Sequence, residues 1–237
     1  MKNFKKSAAA IMGAVTALCL TVGSLAMFTD RFQAQTTAKA GTLDITLSET
    51  WAADNAALAQ AYKPGTALKL NYKLDNVGNM AADVRETFVL TFDKALSAVA
   101  ANREFDLYPA SAVTVDADGN VTAISGTALT PATGNYTKDG KTYYTLTYSP
   151  DQFTLNGDKT HTDGTVTGAE DEHSATYYVV FKSNVGNDFQ GVGVTVEYMA
   201  QALQHENTGA DTWNDAKVIS QTVTFGGKEI KVAPALN

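Results

Sequence analysis

The sequence predicts an all-β chain: an antiparallel two-sheet sandwich of jelly-roll type with a few short helices, preceded by an N-terminal signal helix. Three observations carry this expectation. Apolar and polar residues alternate with period two along most of the chain, as in strands with one buried face. Asn-Gly, Asp-Gly and Pro-Gly pairs interrupt that alternation at short intervals. Helical periodicity is confined to short alanine-rich stretches. The chain has 237 residues, 44% hydrophobic and 18% charged, a composition that can bury a core. Its formal net charge is −7, which argues against nucleic acid as a partner, because phosphate binding needs clustered positive charge.

Lys2, Lys5 and Lys6 precede an uncharged apolar run from Ala8 to Met27. This is the layout of a secretory signal peptide. Ser24 and Ala26 place small residues at the −3 and −1 positions, so cleavage is expected behind Ala26, or behind Met27 one residue on. The rival is an uncleaved anchor, since about 20 apolar residues span a bilayer. Thr16, Thr21 and Gly23 inside the run favour cleavage. The single cysteine, Cys19, follows Leu18 rather than the small residue that a lipoprotein site requires. The expected organisation is therefore a signal peptide over 1–26, an N-terminal segment over 27–40 and a sandwich over 41–237. Cleavage removes three lysines and no acid, leaving a more acidic, cysteine-free and secreted chain. Membrane contact is expected only through the signal peptide. The end of the chain, Val232 to Asn237, carries no sortase-type motif, so covalent wall anchoring is not expected.

In the segment after the cleavage site, Phe28, Phe32, Ala34 and Ala38 share one parity. Thr29, Arg31, Gln33, Gln35 and Thr37 share the other. This is a strand with one apolar face. Two readings stand: a first strand of the domain's own sheet, or a detachable strand that completes a neighbour's sheet.

Downstream, Leu43, Ile45 and Leu47 alternate, followed by Leu68, Leu70, Tyr72 and Leu74, then Phe88, Leu90 and Phe92. Tyr143–Tyr148 and Thr176–Phe181 are β-branched and aromatic runs. Val192, Val194, Val196 and Tyr198 alternate strictly, and Ile219, Val223 and Phe225 close the series, with Glu229–Val232 able to pair back. Short helices are expected at Ala52–Ala61 and Ala95–Asn102, and a single turn at Ser149-Pro150-Asp151, where proline is preset for a first helical position. Ser111–Thr142 is rich in turns and reads as an excursion from the sandwich.

Catalytic signatures are sparse. The histidines are His161, His173 and His205, and none stands in the HExxH spacing of a zinc endopeptidase. His161 and Asp163 could meet Asp171 and His173 if the intervening loop folds back, but a solvated acidic loop explains them as well. Asp116-Ala-Asp-Gly-Asn120 superficially resembles a calcium loop, yet it lacks the remaining ligands and reads better as a hairpin turn. There is no G-x-S-x-G and no phosphate-binding glycine loop. The carboxylate groups Asp83/Glu86 and Glu170/Asp171/Glu172 leave glycosidase chemistry open. Tyr143, Tyr144, Tyr177 and Tyr178 could stack on a sugar, although adjacent tyrosines usually put one ring in the core and one outside. No cofactor is implied and no metal ligand is assigned.

Several motifs together resemble a known family. Ser24-Leu-Ala-Met-Phe-Thr-Asp30 is similar to the processing region of precursors cut by the ER-type signal peptidase of Gram-positive bacteria. Lys39-Ala-Gly-Thr-Leu-Asp-Ile45 resembles the family's first strand, and Lys63-Pro-Gly65 with Leu74-Asp-Asn-Val-Gly78 its second block. Val194–Gln204 followed by Asn207 and Trp213 resembles its C-terminal block. On these motifs the chain resembles the TasA/camelysin family of secreted biofilm-matrix proteins. The resemblance implies a jelly-roll subunit that polymerises into extracellular fibres, each N-terminal strand filling the next subunit's sheet. Carried over, Phe28, Phe32, Ala34 and Ala38 would form the donor strand. The partners would be further copies of the chain, the ER-type signal peptidase and accessory matrix proteins. The camelysin name also carries a claim of metalloprotease activity, at odds with the expectation that the chain is not an enzyme. The alternatives from other classes are a monomeric surface adhesin or carbohydrate-binding sandwich, and a secreted metalloprotease.

Overall fold

A computed structural model describes residues 42–56, 58, 63–92, 104–157, 169–183, 192–205, 213 and 216–225. The chain divides into two units, Met1–Thr42 and Leu43–Asn237. The fold described here is that of the second. The expected signal peptide and donor segment, the helix at Ala95–Asn102 and the strand at Glu229–Val232 lie outside the described residues.

Among the described residues, the domain has twelve strands: β1 (Ile45–Glu49), β2 (Ala67–Asn76), β3 (Ala82–Phe92), β4 (Phe105–Pro109), β5 (Val113–Val115), β6 (Val121–Ile124), β7 (Ala132–Lys138), β8 (Lys141–Tyr148), β9 (Gln152–Leu155), β10 (Glu172–Phe181), β11 (Val194–Gln204) and β12 (Lys217–Phe225). One sheet has the order β1-β2-β10-β4. The other runs β12-β11-β3-β8-β7, with β9 also on β3. All pairings are antiparallel. The chain passes from one sheet to the other between β2 and β3, between β3 and β4, from β4 through the β5–β6 hairpin to β7, between β9 and β10, and between β10 and β11. This is the two-sheet antiparallel sandwich that the sequence predicts.

The alternating residues build the core. Leu68, Leu70, Tyr72 and Leu74 of β2 and Tyr177, Val179 and Phe181 of β10 face Phe88, Leu90 and Phe92 of β3 and Val194, Val196 and Tyr198 of β11, all buried. Each large apolar side chain taken from water contributes roughly 1.5–3 kcal/mol, so this interior replaces the disulfides that a chain with one cysteine cannot form within itself. The Thr176–Phe181 run is apolar at both parities for a visible reason. Its inner parity feeds the main core, and its outer residues Tyr178 and Val180 pack under the β5–β6 hairpin, with Ala67, Val113, Val115 and Val121. The excursion read from the turns is therefore a cover for one end of that sheet's outer face.

Two helical expectations change. Among the described residues, the Ala52–Ala61 helix is α1 (Trp51–Asp54). Asn55 ends it: its Nδ2 donates to the Trp51 and Lys69 carbonyls (2.8 and 2.7 Å), and its Oδ1 accepts from the Lys69 N–H (2.7 Å), fastening the turn to β2. Trp51 is fully buried, its ring edge-on to Tyr198 at 6.1 Å. Ser149–Asp151 is not a helical turn. It is the break between β8 and β9, which lie end to end along β3, β8 opposite Phe88–Thr91 and β9 opposite Ala82–Arg85. Pro150 has no N–H to give a ladder, so the strand is interrupted there. One bond bridges the gap, from the Glu86 N–H to the Asp151 carbonyl at 3.2 Å.

Candidate functional site

Inward positions on β3 read Ala82, Val84, Glu86, Phe88, Leu90 and Phe92. Glu86 is the exception in this series: a carboxylate 1% exposed, in the middle of the core. Three tyrosines surround it. Tyr198 of β11 donates to Glu86 Oε1 at 2.7 Å. Tyr72 of β2 turns its hydroxyl toward the same carboxylate, and neither that hydroxyl nor Glu86 Oε2 has a partner at hydrogen-bonding geometry. Tyr177 of β10 donates to Asp151 Oδ2 at 3.2 Å, at the break between β8 and β9. The Tyr72 ring stacks on Tyr177 (6.4 Å) and tilts against Tyr198 (4.5 Å).

Burial dominates the electrostatics. It pushes the Glu86 carboxyl up to about 7, against the lowering effect of the tyrosine hydroxyls, with the nearby Asp151 charge raising it further. Burial, followed by the neighbouring acids and phenols, drives the Tyr72, Tyr177 and Tyr198 hydroxyls well above the ordinary phenol range. His173, on the inner side of β10, stacks on Phe153 at 4.0 Å, and its Nε2 is buried without a partner. Burial lowers its pKa, partly offset by Asp151. The cluster can hold or release a proton near neutrality. At 1% exposure Glu86 offers no surface to a substrate unless the sheets part.

The sandwich margins form the second feature. Among the described residues, β1 and β4 in one sheet and β12 and β7 in the other each have a ladder partner on one side only. The margin between β1 and β12 is closed by side chains instead. Lys217 bonds Asp44, and Gln221 Nε2 donates to Glu49 Oε1 at 2.9 Å. On the outer face of the β1-β2-β10 sheet, two cross-strand rows, Ser48–Lys73–Ser174 and Asn71–Thr176, floor an open polar groove of about 510 Å³, together with Thr50.

The camelysin metallo-endopeptidase family model matches residues 2–209. The chain belongs to the camelysin family. Among curated proteins none matches. Among solved structures, the macrocyclising protein AvmM of alchivemycin A biosynthesis is similar at a TM-score of 0.38 and 10% identity, covering 81% of this chain and 93% of AvmM. The PapD-like domain 7 of human CEP192 is similar at 0.33 and 7% identity, covering 85% and 100% respectively. Likeness this distant carries no functional argument.

In this camelysin-family chain the expected cleavage residues Ser24, Ala26 and Met27, and the expected donor residues Phe28, Phe32, Ala34 and Ala38, lie outside the described residues. So do His161 and Asp163. The metal that the family name implies can be tested on what is described. A zinc endopeptidase needs three convergent ligands and an open position. His173 points between the sheets, while His205 pairs its Nδ1 with Asp83 Oδ1 at 2.7 Å. Among the described residues no three His, Cys, Asp or Glu side chains converge on one point, so these residues do not fit a zinc centre. Asp83 and Glu86 fall on opposite faces of β3, which removes them as an acid/base pair. Asp116 accepts from the backbone of Asp118 (3.0 Å) and Asn120 (2.8 Å) within the β5–β6 turn, the hairpin role expected of it. Tyr177 and Tyr178 split between core and outer face as adjacent strand residues do. Trp213 of the C-terminal motif has a visible role too. Its carbonyl accepts from Gln201 (3.1 Å), and its ring lies 4.6 Å from the Arg85 guanidinium.

The Glu86 cluster was missed by sequence reasoning. Its one signal was a charged residue at an inward parity of an otherwise apolar strand.

Proposed function

We propose that this protein is a secreted structural subunit of extracellular matrix fibres, without catalytic function, that polymerises by donating its N-terminal strand to the next copy. The observation that carries the proposal is the pairing of a one-faced strand, Phe28–Ala38, with a sandwich whose margin strands β1, β4, β12 and β7 keep a one-sided ladder. Such margins are templates for strand addition. Membership in the camelysin family supports the reading, and the sequence resemblance to matrix proteins directs it to fibres. In this reading the ER-type signal peptidase releases the segment behind Ala26 or Met27, and Phe28, Phe32, Ala34 and Ala38 enter the neighbour. Head-to-tail donation is heterologous, so it produces an open filament unless its rotation closes. Ordering about ten residues costs roughly 1–2 kcal/mol each. Two phenylalanines return roughly 1.5–3 kcal/mol each. Ladder hydrogen bonds and contacts outside the strand must supply the rest.

The polar groove over Ser48, Asn71, Lys73 and Thr176 favours a second reading, a glycan-binding surface protein. Negative-stain microscopy of the secreted protein beside a deletion of Phe28–Ala38 separates the two. Filaments from the full chain only, with the deletion folded and monomeric, support strand donation. Monodisperse particles from both favour the glycan reading. Stoichiometric zinc, with proteolysis lost in His161→Ala or His173→Ala, would instead establish the endopeptidase that the family name describes.

A further inference from the structure

The β7–β8 hairpin is longer than the sheet that holds it. β8 pairs with β3 only over Thr145–Tyr148. From Tyr136 to Tyr143 the two strands ladder only with each other among the described residues, while Tyr144 stacks on Phe92 (6.2 Å) at the margin of the core. No residue from Ala132 to Tyr143 is buried. The tip is a tight turn in which Asp139 and Gly140 both take positive φ (51° and 74°), the two-residue geometry that twists with its strands. A two-stranded ribbon with both faces in solvent is marginal by itself. Lys138 and Lys141 stand directly opposite each other at the tip, with no ion pair to either among the described residues. Like charges in register destabilise the ribbon further. They also discourage one tip from pairing with another, and they outnumber the Asp139 carboxylate between them, so the projecting part is positive in a chain whose net charge is −7.

The opposite end of the sandwich has the opposite sign. β3 runs from the short β2–β3 bend to Phe92, and the ribbon continues beyond Phe92. At the end where β3 begins, β2 finishes and β10 starts, with Asp75 opposite Glu172. Both of these carboxylates share one ammonium, Lys73 (3.0 and 2.6 Å), and Glu170 and Asp171 lead into the same strand end. Among the described residues, four carboxylates cluster there, two of them on Lys73.

We propose that the Lys138/Lys141 tip of one copy docks on the Asp75/Glu170/Asp171/Glu172 end of the next copy. The inference rests on the fibre reading above and supplies a contact outside the donated strand. Tip and acidic patch lie at opposite ends of one domain, so the contact is head-to-tail and repeats without consuming itself, as a filament needs. Charge complementarity of this kind sets orientation and encounter rate more than final affinity.

Charge-swapped variants of the full secreted protein test it. One carries Lys138→Glu and Lys141→Glu, and the other carries Glu170→Lys and Asp171→Lys. Assembly is followed by light scattering and electron microscopy at low salt, with circular dichroism to confirm folding. Each variant alone is expected to assemble at least about tenfold more slowly than the unaltered protein. An equimolar mixture is expected to recover, because each tip then meets an end of opposite sign. Unchanged assembly of either variant alone overturns the proposal, and so does a mixture no faster than its components. Filaments that persist unchanged in both variants would sink this contact while leaving the fibre reading intact. Absence of filaments from the unaltered protein under all conditions would remove that reading, and this contact with it.

Discussion

Tyr198 donates its phenolic hydrogen to Glu86 over 2.7 Å between the two sheets, inside an otherwise largely apolar core where the Tyr72 hydroxyl is the next polar group. The bond stabilises the ionised carboxylate, but burial outweighs it and leaves the group titrating at about 7. Glu86 is therefore a charge the core accepts only partly, and its protonation couples to the tightness of the sandwich.

The first prediction concerns pH. The folded pKa of Glu86 stands above its ordinary value of 4.5, at about 7. Below 4.5 the carboxyl is protonated in both states and its full stabilising effect is present. Between about 4.5 and 7 the unfolded chain releases the proton first, so stability falls as pH rises, and it levels off above 7. The span corresponds to roughly 3 kcal/mol at about 1.4 kcal/mol per unit. Glu86→Gln removes this slope. Urea midpoints of the two proteins should lie close together at pH 4 and separate in favour of the glutamine variant at pH 8. A constant separation across that range would show that Glu86 does not titrate as described. His173, whose pKa is lowered by burial, contributes with the opposite sign, so the comparison of the pair isolates Glu86.

Tyr198→Phe tests the bond itself. Losing a hydrogen bond to a charged group costs roughly 1.5–3 kcal/mol, and here only while Glu86 is ionised. Thermal melting of this variant should be lowered at pH 8 and little changed at pH 5. Equal losses at both pH values would assign Tyr198 a packing role alone.

Two glycines separate backbone contact from backbone conformation. A Cβ on Gly157 would meet the Asn79 carbonyl carbon at 2.6 Å and the Met80 nitrogen at 2.8 Å, where the end of β9 lies against the β2–β3 bend. Gly157→Ala should lower the global urea midpoint by roughly 1–3 kcal/mol of overpacking. Gly140 has open space around it but sits at φ +74°. Gly140→Ala strains only the hairpin tip, by roughly 1–2 kcal/mol. It should speed amide exchange in Asn135–Tyr144 while leaving the global midpoint in place. Equal global losses in both variants would mean that the ribbon is part of the cooperative unit.

Phe32→Asp addresses the donated strand. The phenylalanine contributes roughly 1.5–3 kcal/mol when buried, so its loss should weaken assembly at least about tenfold while circular dichroism stays unchanged. Filaments of ordinary yield would count against the donor role of Phe28–Ala38. An unfolded product would mean that the segment belongs to its own domain's sheet.

The sequence by itself determined the class of the fold, because period-two alternation states which face of a strand is buried without knowing its neighbour. Leu68 to Leu74, Phe88 to Phe92 and Val194 to Tyr198 all enter the core at the predicted parity. The Asp139-Gly140 turn was legible as well, since its positive φ angles demand such residues. Three strands left no such trace. β4 is five residues ending in proline, β9 is four residues, and β7 is exposed on both faces and has no apolar parity to display. Only the tertiary structure decided that Ser149–Asp151 is a break opposite Glu86, and that the lysine tip and the carboxylate patch occupy opposite ends. These are relations between strands distant in the chain. Local alternation fixes the direction of each side chain, but which side chains meet depends on strand order and register, which are settled by packing the two sheets together.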